Sequence, residues 1–96
     1  MRLLAILAMC LISMPVSAIT ASYYCDDGSR LRATFRARSG TRQATLYFDS
    51  SKSSLTLPQV MSADGGRYAD KNNEFWVKGR TARLKRPDSS VTCTIR

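Results

Sequence analysis

The chain is predicted to be all-β, folded as a small closed antiparallel barrel held by one disulfide. Three observations carry that prediction. Apolar and polar residues alternate with period two in segment after segment, Gly, Asn, Asp and Ser recur at hairpin spacing, and no stretch shows convincing helical periodicity.

The first residues stand apart from this pattern. Arg2 gives a positive start, Leu3 to Ile12 is an unbroken apolar run, Pro15 interrupts it, and Val16-Ser17-Ala18 supplies the small residues a signal peptidase reads. The run is too short to span a membrane. Residues 1–18 are therefore expected to be a secretory signal, cut after Ala18, leaving one domain over residues 19–96. Cys10 follows Leu7-Ala8-Met9, and Met9 is too large for the residue that precedes a lipidated cysteine. A soluble periplasmic or secreted product is expected, with a lipid-anchored form through Cys10 as the lesser alternative.

The remaining cysteines, Cys25 and Cys93, sit near opposite ends of the domain. In an exported protein they have a single intramolecular pairing open to them. Closing so long a loop is worth about 4 kcal/mol by chain-entropy arithmetic. That is comparable to the whole net stability expected of so small a core.

Without Arg2 the chain keeps 14 basic residues against 7 acidic ones, a net charge of +7. Such a charge attracts anionic surfaces without choosing among them. There is no histidine. With both cysteines paired, the usual nucleophile–base pairs and most metal sites are unavailable, so neither an enzyme nor a cofactor or metal is expected. Carboxylate-only hydrolysis is left, but the acidic residues lie mainly in turn-like stretches.

The elements follow in order. In Arg30 to Arg38, Leu31, Ala33, Phe35 and Ala37 alternate with Arg30, Arg32, Thr34, Arg36 and Arg38, which is a strand with one buried face. Ser39-Gly40-Thr41 turns the chain, and Ala44, Leu46 and Phe48 mark the next strand. After the polar loop Asp49 to Ser53, Leu55 and Leu57 mark a short strand ended by Pro58. Beyond Met61, the Ser62 to Gly66 turn leads into a hairpin of Arg67–Asp70 and Glu74–Lys78 around Lys71-Asn72-Asn73. Arg80 to Arg86 alternates through Ala82 and Leu84, Pro87-Asp88-Ser89 turns, and Val91, Cys93 and Ile95 face inward. Seven or eight such strands close most simply into a barrel, which removes exposed edges.

Several runs in this order form one pattern: Tyr23-Tyr24-Cys25-Asp26-Asp27-Gly28, Leu57-Pro58, Ser62-Ala63-Asp64-Gly65-Gly66-Arg67-Tyr68, Phe75-Trp76-Val77-Lys78-Gly79, Ala82-Arg83-Leu84 and Cys93. The pattern closely resembles the bacterial inhibitors of C-type lysozyme, the membrane-bound and periplasmic MliC/PliC family, over essentially the whole mature chain. Its most specific element is the run from Tyr68 to Gly79. The resemblance implies an eight-stranded antiparallel barrel with a disulfide between first and last strands. It further implies C-type lysozyme as partner, blocked by loops inserted into its active-site cleft.

The family's key lysine corresponds to Lys78. A partner serine in a Ser-Gly-x-x-Tyr motif falls on Asp64, so Gly65 and Tyr68 match while the serine does not. Ser62 is near enough to offer a substitute hydroxyl. Asp64 has three courses open: accepting a hydrogen bond from a protonated general acid, pairing with Lys78, or turning to solvent. On a strand Trp76 and Lys78 share a face, opposite Phe75 and Val77, so Trp76 is placed to brace the lysine or touch the enzyme. Gly79 lets the chain bend away at once.

Taken singly these residues are bland. A lone lysine at a strand end is ordinarily a solvated charge, a lone tryptophan a core anchor, Gly65-Gly66 a turn, and Tyr68 fits a barrel wall as well as a contact. A competing reading is a basic cell-envelope module, with the outward row Arg30, Arg32, Arg36 and Arg38 set against anionic lipid head groups or glycans. Nucleic acid is not expected, because no stacking platform is evident.

Overall fold

The period-two segments form eight strands in the computed structural model, which describes residues 17–96. They are β1 (Ser17–Cys25), β2 (Arg30–Arg38), β3 (Thr41–Phe48), β4 (Ser53–Val60), β5 (Gly66–Ala69), β6 (Glu74–Lys78), β7 (Thr81–Arg86) and β8 (Ser89–Ile95). Each pairs antiparallel with its neighbours in chain order, and β8 returns to β1 to close the barrel. Cys25 and Cys93 oppose each other in that last seam, with Cα atoms 3.8 Å apart, and are joined by the disulfide. The first-to-last staple expected from the sequence is therefore present.

Several strand boundaries differ from expectation, most of them by one residue. Pro58 does not end its strand, because β4 continues to Val60. Pro58 is the last β4 residue in register with β3, opposite Gln43, and Gln59 is the first in register with β5, opposite Tyr68. A residue without an N–H is tolerated where the strand changes partners. Ser89, expected in a turn, opens β8 opposite Arg86, which leaves Pro87-Asp88 as a two-residue connection. Cys10 and residues 1–16 of the expected signal lie outside the described residues. Ser17 and Ala18, also expected in the signal, begin β1 opposite Ala37 and Arg36.

The core is the set of inward residues that the alternation selects. Tyr23, Leu46, Leu57, Phe75 and Cys93 are the largest fully buried side chains, and no charged side chain among the described residues is buried. Tyr23 meets Phe75 edge-on at 5.3 Å, and Phe35 bridges to Tyr68 at 5.4 Å and to Phe75 at 6.4 Å. Such aromatic pairs add about 0.5–1.5 kcal/mol each beyond their buried area. The β5–β6 turn is held by Asp70, whose carboxylate accepts from the N–H groups of Asn72 and Asn73 at 2.8 Å each. Those bonds favour the charged form and lower the Asp70 pKa.

Burial raises the Tyr23 pKa above its ordinary value of 10.0, and the neighbouring Tyr68 adds to the shift. Tyr68 is raised as well by burial, with Arg42 opposing. A folded state that holds its phenolic protons more tightly than the unfolded chain keeps this stability below pH 10.0 and loses it as pH rises further. Alkaline unfolding is thus expected to begin near the ordinary tyrosine pKa. Tyr23→Phe should shift its midpoint upward, as read by circular dichroism against pH; an unmoved midpoint would acquit the tyrosines.

Candidate functional site

The site is built from one outward strand face and the loop that crosses it. In β6, Phe75 is fully buried and Val77 packs on the core, so Glu74, Trp76 and Lys78 point outward. Lys78 is the last residue of the strand. The chain reverses over Gly79-Arg80, with Gly79 at φ +60° and Thr81 in register opposite Lys78. A positive φ at the first turn position is the type II′ hairpin geometry that glycine adopts most readily. The Thr81 hydroxyl donates to the Lys78 carbonyl at 3.1 Å, which fixes the corner from which the lysine projects.

The β4–β5 loop, Met61 to Gly65, lies against this strand end. The Trp76 indole N–H donates to the Asp64 carbonyl at 3.0 Å. The Ser62 hydroxyl donates to the carbonyls of Asp64 and Gly65, at 3.0 and 3.1 Å. Gly65 has φ +68°, and a Cβ there would run into the Val77 carbonyl and approach Lys78 Cγ at 3.2 Å. Gly65→Ala is therefore expected to cost about 1–3 kcal/mol from the left-handed backbone and the collision together. The barrel should persist while the loop lifts from Trp76. Urea unfolding and the solvent exposure of the indole check this, and an unchanged indole would argue against it.

Lys78 Nζ stands 4.4 Å from the centre of the Trp76 ring and 3.8 Å from Asp64 Oδ1. The two side chains are 55% and 70% exposed, so the ion pair contributes at most about 1 kcal/mol. The contact with the ring adds about 0.5–1 kcal/mol at such a surface position. These forces aim the ammonium without committing it, and it can exchange Asp64 for another anion at little cost.

Six predicted site residues thus come together: Ser62, Asp64, Gly65, Trp76, Lys78 and Gly79. Tyr68 does not join them at the surface. It is only 8% exposed and packs on Phe35, because it lies in β5 on the inward side with Phe75 opposite it on β6. Its role is support for the wall behind the loop. Ser62 offers no free hydroxyl donor, since its proton is directed at the loop's own carbonyls. Trp76, taken alone a core anchor, lies half-buried on the outer surface, and Phe75 fills the core instead.

Sequence reasoning missed Arg67 and Arg83. They flank Trp76 in register on β5 and β7, and the Arg67 guanidinium lies 5.5 Å from the indole ring while pairing with Glu74. Arg83, Lys78 and Trp76 line a shallow depression of about 190 Å³. Counting hairpin register outward from Lys71-Asn72 and Gly79-Arg80 would have found both arginines. The row Arg30, Arg32, Arg36, Arg38 is also altered by its neighbours: Arg30 is paired with Asp49 at 3.0 Å, and Arg32 lies over Tyr47 at 5.1 Å.

The sequence model of the family described as "Membrane-bound lysozyme-inhibitor of c-type lysozyme", MliC, matches residues 23–92. The chain belongs to the MliC family. Members of this family are inhibitors, binding proteins rather than enzymes, and the cluster around Lys78 falls within the matched span. A membrane-bound lysozyme inhibitor of C-type lysozyme from Yersinia enterocolitica is 46% identical over 37 residues, which is 38% of this chain and 32% of that protein. The match thus spans about a third of that relative's length. Among solved structures, Pseudomonas aeruginosa MliC, crystallised in complex with hen egg white lysozyme, superposes with a TM-score of 0.74. That match covers 99% of this chain and 100% of the other at 23% identity, and it shows a shared MliC fold.

Proposed function

We propose that this MliC-family protein inhibits C-type lysozyme by carrying Lys78 into the enzyme's active-site cleft, and so protects the bacterial cell wall. The observation that carries the reading is the Lys78 ammonium, poised over Trp76 at a strand corner and held only loosely by Asp64. Lysozyme cleaves its substrate with two carboxyl groups, one a general acid and one a nucleophile or stabiliser. A compact ammonium with three donors suits such a pair, and charge-assisted bonds are roughly twice as strong as neutral ones where water is scarce. The loop from Ser62 to Gly65 would enter beside it. Residues 1–18 would direct export, placing the domain in the periplasm or outside the cell. Lysozyme-catalysed lysis of bacterial walls, measured against increasing protein, tests the reading, and absence of inhibition at micromolar concentration against several C-type enzymes would sink it.

Asp64 stands where the family pattern has serine, and its charge opposes the proposed target. In the free protein it competes for Lys78, and in the cleft it would face two carboxyl groups. Trp76 keeps the ammonium aimed without it. Asp64→Ser is therefore expected to tighten inhibition by about three- to tenfold, the scale of one exposed charge contact. The gain should be larger at pH 8 than at pH 5, because the enzyme's general acid is ionised at the higher pH and then repels aspartate. Inhibition constants at both pH values decide it. Weaker inhibition by Asp64→Ser would instead make Asp64 a needed guide for the lysine.

A further inference from the structure

Acidic side chains are confined almost wholly to one end of the barrel. In an up-and-down barrel successive turns fall at alternate ends, so the β1–β2, β3–β4, β5–β6 and β7–β8 turns share an end. Those turns and the first residue of β6 hold Asp26, Asp27, Asp49, Asp70, Glu74 and Asp88. The other end has Asp64 alone, beside Lys78. At that end Arg36, Arg38 and Arg42 are exposed on the β2–β3 hairpin, and no acidic group pairs with them among the described residues.

This hairpin also outruns the wall. β4 is in register with β3 only as far as Pro58 opposite Gln43, and β8 meets β1 only from Tyr23 to Cys25. Ala37, Arg38, Thr41 and Arg42 therefore extend past the closed part, flanked by the start of β1. Arg36, Arg38, Ser39, Thr41 and Gln43 line a polar depression of about 400 Å³. Beside it, Ile19, Phe35 and Ala37 form an apolar cleft walled by Arg36 and Arg42, with Ile19 67% exposed.

We propose that this projecting hairpin docks the domain on an anionic phospholipid membrane. The guanidinium groups of Arg36, Arg38 and Arg42 would take headgroup phosphates, which their planar forks match, and Ile19 would enter the boundary between headgroups and acyl chains. The apolar cleft beside the arginines favours lipid over a polyanionic glycan, which has no use for an exposed isoleucine. Cleavage after Ala18 would add the new α-ammonium of Ile19 to the same surface. β2 and β6 lie four strands apart in the ring, so the hairpin and the Lys78 cluster share an end of the barrel but sit on opposite walls. The inference needs no covalent lipid and stands apart from the lysozyme reading.

Co-sedimentation of the purified protein with phosphatidylglycerol–phosphatidylcholine vesicles, and with pure phosphatidylcholine vesicles, tests it. Binding is expected to the first only and to fall steeply with salt. At about fivefold per arginine near an anionic surface, replacing Arg36, Arg38 and Arg42 together by glutamine should weaken binding by about a hundredfold. Replacing Lys52, Lys71 and Lys85 at the acidic end removes the same charge and should weaken it far less. Ile19→Ser should weaken binding while keeping the salt dependence. Equal losses in the two triple variants would mean undirected charge attraction and overturn the proposal, as would absence of binding by the unmodified protein. Lysozyme inhibition measured on the same variants is expected to survive, which separates this inference from the preceding one.

Discussion

Replacing Lys78 with alanine is expected to weaken lysozyme inhibition by about 2–5 kcal/mol, the usual cost of truncating one partner of a buried charged contact. That is a loss of about thirtyfold to several thousandfold in the inhibition constant. Stability should hardly change. Lys78 is 55% exposed at the end of a strand, and its two local contacts each contribute no more than about 1 kcal/mol. The effect arises in the complex, where two enzyme carboxyl groups would lose their counter-charge in a cleft poor in water. Lys78→Arg should recover only part of the inhibition, because a planar fork does not fill the place of a compact ammonium. The measurement is a wall-lysis inhibition constant beside a urea unfolding curve for each variant. A Lys78→Ala protein that folds normally and inhibits undiminished would show that the enzyme is gripped elsewhere.

Removing the disulfide is expected to cost about 4 kcal/mol of folding stability in a Cys25→Ser, Cys93→Ser double variant. The seam it spans is short, since β1 and β8 share only the Tyr23–Ile95, Tyr24–Thr94 and Cys25–Cys93 register pairs. By contrast β1 runs alongside β2 from Ser17 to Tyr24. The cross-link joins residues 68 positions apart, so most of the chain gains freedom in the unfolded state when it is cut. A domain of this size has little stability beyond that amount, and the reduced protein should be largely unfolded near body temperature. Urea unfolding with and without reductant measures the effect. Coincident curves would mean that the β1–β8 hydrogen bonds close the barrel unaided.

What was legible in the sequence is what depends on local alternation. Leu31, Ala33, Ala44, Leu46, Ala82, Leu84 and Cys93 were assignable to the interior because a one-residue slip would turn each strand inside out. The opposition of Phe75 to Trp76 was legible for the same reason. Which of the two faces inward is a question of volume, settled by the Tyr23 and Phe35 rings that pack around Phe75 from distant strands. Pro58 misleads because a change of pairing partner belongs to the sheet, not to the residue. Tyr68 was ambiguous because a phenol suits wall and surface alike; only the pairing with Phe75 and the contact with Phe35 decide its side. The clasp between Trp76 and the Asp64 carbonyl joins residues 12 apart through a main-chain oxygen, and no side-chain pattern announces such a bond.

The same clasp makes the molecule its own optical probe. The chain has a single tryptophan, so its indole emission comes from one place. That indole is bonded through its N–H to the crossing loop, and a cation sits over its face. Emission wavelength follows the polarity around the ring, and intensity follows nearby quenchers. Opening of the loop or departure of the ammonium therefore changes the colour or brightness of the free protein without any label. Stopped-flow mixing with a partner would then time how fast the lysine is drawn from its perch.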